Sequence, residues 1–152
     1  MRICQVICCS ALRLNPDGRK HAMGRRTRNM TKANRTIAIN FLELASSGKL
    51  DEAYALTSPD FRHHNPYFAG DAASLKAGMA DAHKKFPSTS LAVQHVLETD
   101  DLVAVHSRVR HSPETPEIAV VHIFRFEADK IAELWDVGME APKDSPNKNG
   151  LF

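Results

Sequence analysis

Cysteine is almost missing from this chain: Cys4, Cys8 and Cys9 all fall in the first thirty residues, and none occurs from Thr31 onward. A body without thiols has no disulfide framework and no thiolate metal site, and the three at the head lack a second cluster to complete a zinc site. A cytoplasmic location is the expectation that goes with such usage. Aromatic residues are absent from the same thirty positions, so nothing there can stack a base, and no nucleic-acid partner is expected. There is no Gly-x-Ser-x-Gly elbow, and the body offers no cysteine, which argues against nucleophilic catalysis. Neither His-x-His nor His-Glu-x-x-His spacing is present, so no metal is expected. With 43% hydrophobic and 25% charged residues the composition is that of a soluble globular protein, and no membrane partner is expected.

Charge divides the chain in two. Residues 1 to 30 carry seven Lys or Arg against Asp17 alone, whereas residues 31 to 152 carry 13 basic and 17 acidic side chains. The stretch Ile3 to Leu14 loosely imitates a signal peptide, but Gln5, Ser10 and Arg13 interrupt it and no small-x-small cleavage site follows. Residues 1–30 therefore read as a disordered basic extension, with Met23 or Met30 as a natural start, and residues 31–152 as one folded domain.

Within the domain, Ile37, Phe41, Leu44 and Ala45 recur at helical spacing until Ser46-Ser47-Gly48 stops them. A short helix from Leu50 to Leu56 follows, and Thr57-Ser58-Pro59 ends it. Phe61 to Gly70 reads as extended chain and turn, because Asn65 precedes Pro66. Asp71 caps a third helix that Pro87 ends, with Gly78 weakening it slightly. Strands then predominate: Leu91 to Leu97, an acidic turn, and Leu102 to Val109. The richest segment comes last. Ile118 to Phe126, a four-residue joint Glu127 to Lys130, and Ile131 to Val137 predict an antiparallel hairpin. Alternation places Ile118, Val120, His122, Phe124 and Phe126 on one face of its first arm. On the second arm it groups Ala132, Leu134 and Asp136 against Ile131, Glu133, Trp135 and Val137. Titratable groups among hydrophobes suit a sheet that lines a pocket. Helices followed by antiparallel strands give an α+β class, with about three N-terminal helices laid on one face of a curved antiparallel sheet and a conical cavity between them.

Four segments carry a family resemblance: His64-Asn65-Pro66 with Gly70; Leu102-Val103-Ala104-Val105-His106; Ile123-Phe124-Arg125-Phe126 leading into Lys130 to Val137; and Asn149-Gly150. In this order and spacing they resemble the SnoaL-like polyketide cyclases of the nuclear-transport-factor-2-like superfamily, over about residues 31 to 152. The resemblance implies a cone-shaped α+β barrel, commonly a homodimer, whose pocket serves isomerisation, aldol cyclisation, epoxide opening or binding alone. One departure stands out. Where similar sequences carry Asp before the Phe-Arg-Phe run, this chain has His122.

A cofactor-independent isomerase, cyclase or lyase acting on a small hydrophobic carbonyl compound needs a base and, opposite it, a hydrogen-bond donor. Asp136 is the candidate base, with His64, His106 and His122 as donors or as alternative bases. Asn65, Tyr67, Phe124 and Trp135 are candidate ligand contacts, and no cofactor is expected. Each has a plainer alternative: Asp136 as a strand-end acceptor, the histidines as satisfied structural rings, Trp135 as packing across a dimer interface, Arg125 in a strand-face ion pair. The competing function is a ligand-binding or dimerisation module of the same fold with no chemistry.

Overall fold

The expected hairpin is the centre of the molecule: β4 (Ile118–Glu127) runs antiparallel to β5 (Lys130–Glu140). Residues 31–152 are described by the computed structural model, so the reading of the first thirty as a disordered extension lies outside the described residues. The joint is tighter than expected. Glu127 pairs with Lys130, and the two residues between them, Ala128 and Asp129, both take positive φ, at 46° and 65°. That is the turn whose twist suits adjoining strands.

Below the turn, Phe126 lies opposite Ile131 but Arg125 opposite Glu133, so β5 holds one extra residue there. This bulge resets the alternation. It turns Ile131, which strict alternation grouped with Glu133, onto the inner face beside Phe126, where it is fully buried in the core.

The other strands extend the hairpin into a five-stranded curved sheet that does not close, in the order β1-β5-β4-β3-β2. β2 (Ser90–Thr99), β3 (Leu102–Arg110) and β4 are successive antiparallel neighbours. β1 (Thr57–His63) differs: it pairs parallel to β5 at the sheet edge, with irregular register between Thr57 and Arg62. Pro59, expected to end the preceding helix, instead falls inside β1, after α2 has stopped at Tyr54, and it lies in that irregular stretch, the setting in which a strand tolerates a residue with no N–H to donate.

Three helices, α1 (Thr31–Ser46), α2 (Leu50–Tyr54) and α3 (Ala72–Lys85), accompany the sheet. Phe41 of α1 meets Phe124 edge-on at 5.7 Å and joins Val103, Val105, Ile131 and Leu134 in the core. Asp71 caps α3 by accepting from the Ser74 N–H at 2.8 Å. The chain is therefore an α+β fold of the cone type, and none of its described helices is long and apolar enough to cross a membrane.

The outer face is organised by charge at one end. Glu133, almost fully buried, accepts from Arg62 Nε at 2.9 Å and Arg125 Nε at 2.8 Å, and lies 2.7 Å from His64 Nε2. The His64 hydrogen bond leads in holding its carboxyl down to about 2, with the two guanidiniums adding to it and desolvation opposing. Further along, Leu97, Val137 and Met139 are exposed, and Phe152 folds back against His106 at 5.5 Å, with Arg108 4.4 Å from its ring.

Glu133 joins β1, β4 and β5, so Glu133→Gln is expected to cost about 1–2 kcal/mol in urea denaturation at pH 7. Because the folded pKa lies below the unfolded one, this contribution is present above pH ~4.5 and disappears as pH falls toward ~2. The variant should therefore differ most from wild type at neutral pH.

Candidate functional site

The site begins at the end of β1, where alternation separates two adjacent histidines. His63 pairs with Leu134 and turns inward, nearly fully buried; its Nε2 lies 2.7 Å from the Ala69 carbonyl and its Nδ1 accepts from the Asn65 N–H at 3.2 Å. With a carbonyl on one side and an N–H on the other, the ring must carry its hydrogen on Nε2. His63 thus ties both ends of the 64–70 loop. Within the loop, Asn65 Oδ1 accepts from the Tyr67 N–H at 3.0 Å. That bond orients the amide, so Nδ2 is the group that donates to Asp136 Oδ2, at 2.9 Å.

Asp136 lies directly opposite His122 in the β4–β5 register, on the inner face. Facing residues of an antiparallel pair have Cβ atoms about 5 Å apart. Asp136 Oδ1 makes no hydrogen bond among the described residues. His122 Nδ1 is buried and has no hydrogen-bond partner among the described residues. Burial drives the imidazole pKa down to about 4, against the opposing pull of the Asp136 charge, so at neutral pH this ring is uncharged.

These groups open onto a pocket of about 170 Å³ lined by Asn65, His122, Asp136 and a largely apolar remainder that includes Phe68, Leu75 and Met79. Gly78 of α3 also lines it, and a Cβ at that position would collide with the Phe68 ring. The glycine therefore makes the notch in which Phe68 sits. A cavity of about 150 Å³ accommodates benzene, so the hollow matches a single ring. One end is polar, the walls are greasy.

The other candidates lie elsewhere. His64 and Trp135 stack on each other at 4.7 Å on the outer side, where His64 also meets Glu133. His106 is on the outer face too, its Nδ1 3.1 Å from His95 Nδ1. Tyr67 is 86% exposed, and Phe124 is fully buried in the core beneath the pocket. No group of three or more His, Cys, Asp or Glu residues among the described ones is arranged to hold a metal ion. His63 and Phe68 were not singled out from the sequence. A glycine inside an otherwise regular helix was the available signal for a close approach there.

A family model for the SnoaL-like domain matches residues 38–134, well over half of the chain. The chain belongs to the SnoaL-like domain family. Solved structures agree on the fold. One is IdmH of Streptomyces antibioticus, provisionally assigned as a polyketide cyclase, with 23% identity, 69% of this chain and 91% of that one covered, and a TM-score of 0.58. Another is AclR of Streptomyces galilaeus, provisionally a hydroxylase, with 20% identity, coverage of 72% and 90%, and a TM-score of 0.63. A third is a provisional ketosteroid isomerase of Kribbella flavida, with 17% identity, coverage of 78% and 86%, and a TM-score of 0.62. No curated protein matches the chain in sequence.

A histidine that stays neutral when folded makes this SnoaL-like domain less stable in acid. The unfolded chain takes up a proton near pH 6.5 and the folded one only near 4, so stability should fall by about 3 kcal/mol across that interval. In His122→Gln, denaturation curves measured across that interval should lose this component.

Proposed function

We propose that this SnoaL-like domain is a cofactor-independent isomerase or cyclase that moves a proton beside the carbonyl of a small, single-ring hydrophobic compound. The observation that carries the reading is the convergence of Asp136, His122 and Asn65 at one end of an otherwise apolar hollow. The Asp136 carboxylate takes the α-proton; the electron pair moves onto the carbonyl oxygen, giving an enolate. His122, a neutral imidazole, supplies the hydrogen bond to that oxygen. Asn65 holds one carboxylate oxygen and leaves the other to act. Return of the proton to a second carbon completes an isomerisation, and attack of the enolate on a second carbonyl completes a cyclisation.

The outer face supports a further part of this reading, a homodimer. Leu97, Val137 and Met139 are each at least 60% exposed, on a sheet face where register aligns Leu97, Ala104, Ile123 and Trp135 across four strands. Apolar patches of this kind mark association surfaces, and a second copy of the same face is the occupant we propose. The competing reading, a binding module without chemistry, is favoured by the largely apolar lining of the pocket.

Incubation with 3-cyclohexen-1-one in D2O should give the conjugated isomer with deuterium incorporated, and Asp136→Asn should slow this by about 10²-fold or more. Binding of the ketone with no exchange above the buffer rate would favour the binding module. Val137→Glu should shift sedimentation from dimer to monomer while the pocket chemistry persists.

A further inference from the structure

Two of the buried polar atoms left without a hydrogen bond among the described residues are neighbours on the inner face of the sheet. Ser107 Oγ on β3 and His122 Nδ1 on β4 both lack a partner, and Ser107 is fully buried. In the β3–β4 register Ser107 faces Val120 and His122 faces Val105, which makes the two side chains diagonal neighbours on one face. A diagonal of this kind spans roughly 7–8 Å between backbones and less between side chains. A change of the serine rotamer, or one enclosed water, would bridge it.

We infer that Ser107 is a positioning residue for the pocket: its hydroxyl donates, directly or through one water, to His122 Nδ1 and so fixes the tautomer that carries hydrogen on Nε2. For a direct bond, the counting of donors requires that direction. Ser107 has no other partner, so if Nδ1–H donated to Oγ, the serine hydrogen would remain unpaired in a fully buried site. With the hydroxyl as donor, both orphaned atoms are satisfied at once. The two ring nitrogens of His122 are not equivalent. Nδ1 is sealed inside, whereas Nε2 is not among the buried unpartnered atoms, and the ring as a whole lines the pocket. The Asp136 carboxylate, opposite on β5, favours an N–H on that edge as well. Ser107 does not reach the pocket and acts only through the imidazole.

The inference rests on the reading of His122 as the group that hydrogen-bonds the substrate carbonyl, and it states which nitrogen does so. Its test uses the ligand-free, full-length protein, uniformly labelled with ¹⁵N, at pH 7. Long-range ¹H–¹⁵N correlation spectra report each imidazole tautomer, and the His122→Gln spectrum identifies the His122 signals. In wild type, Nδ1 should resonate as a bare nitrogen and Nε2 as a protonated one. In Ser107→Ala the two shifts should move toward each other as the tautomers mix, while Ser107→Thr, which keeps the hydroxyl, should retain the wild-type pattern. The other histidines serve as the control for folding, and Ser107→Cys, a weaker donor, gives the same comparison if the alanine variant does not fold. A wild-type ring protonated on Nδ1, or a Ser107→Ala spectrum identical to wild type, would overturn the inference. A wrong tautomer would leave Asp136 as base untouched, and a lack of ketone turnover would not alter the tautomer, so the two failures are distinguishable.

Discussion

The register of β4 against β5 is the constraint on which everything else depends. It sets Phe124 opposite Leu134 and His122 opposite Asp136 on the inner side, and Arg125 opposite Glu133 and Ile123 opposite Trp135 on the outer side. Strand side chains have a period of two, so a slip by one residue would exchange the faces. A slip of β5 would turn Glu133 toward the core, away from Arg125, and send Leu134 out. Burial of a phenylalanine or leucine is worth roughly 1.5–3 kcal/mol each, and a carboxylate taken from its guanidiniums costs more than that to bury. The hydrophobic pairs and the ion cluster thus enforce the same alignment from opposite sides, and the site is a by-product of it.

That division gives the imidazoles of this chain different jobs. On the outer face His64 is spent on Glu133 and Trp135, and His106 on His95 and Phe152. Inside, His63 is held by two backbone groups and defines the loop. Among these rings His122 alone adjoins the hollow with its inner nitrogen unclaimed. Burial keeps it neutral, and a neutral ring can both donate and accept, which a charged one cannot. His122 therefore sets an uncharged ring opposite Asp136, where a carboxylate would set a second negative charge.

Much of this was legible in the sequence because the period of two is a strong signal. The alternation of Ile118 to Phe126 grouped His122 with Phe124, but it left open which face of the sheet lines the hollow, and His106, a candidate for the same site, lies on the outer face. Alternation failed at Ile131, since a single extra residue in β5 resets the count and nothing local announces the bulge. Pro59 read as a helix terminator, and the strand that contains it was not foreseen: its partner, β5, lies far along the chain and runs parallel. The same distance hid the loop. That Asn65 meets Asp136, and that Phe68 rests in the notch at Gly78, depends on α3 and β5 arriving at the same place, and no window of sequence contains both.

The edge position of β1 has a consequence for the order of events as the chain forms. Asn65 and Asp136 are separated by 71 residues, and the strand that joins them pairs with the last strand of the sheet, not with its neighbour in sequence. The hairpins β2–β3 and β4–β5 close over short loops, but closure of β1 onto β5 must pay the entropy of a long one. During synthesis the early segment must wait, edge unpaired, until β5 has emerged. The hydrogen bond between Asn65 and Asp136, and with it the polar end of the hollow, then forms only in the final step of assembly.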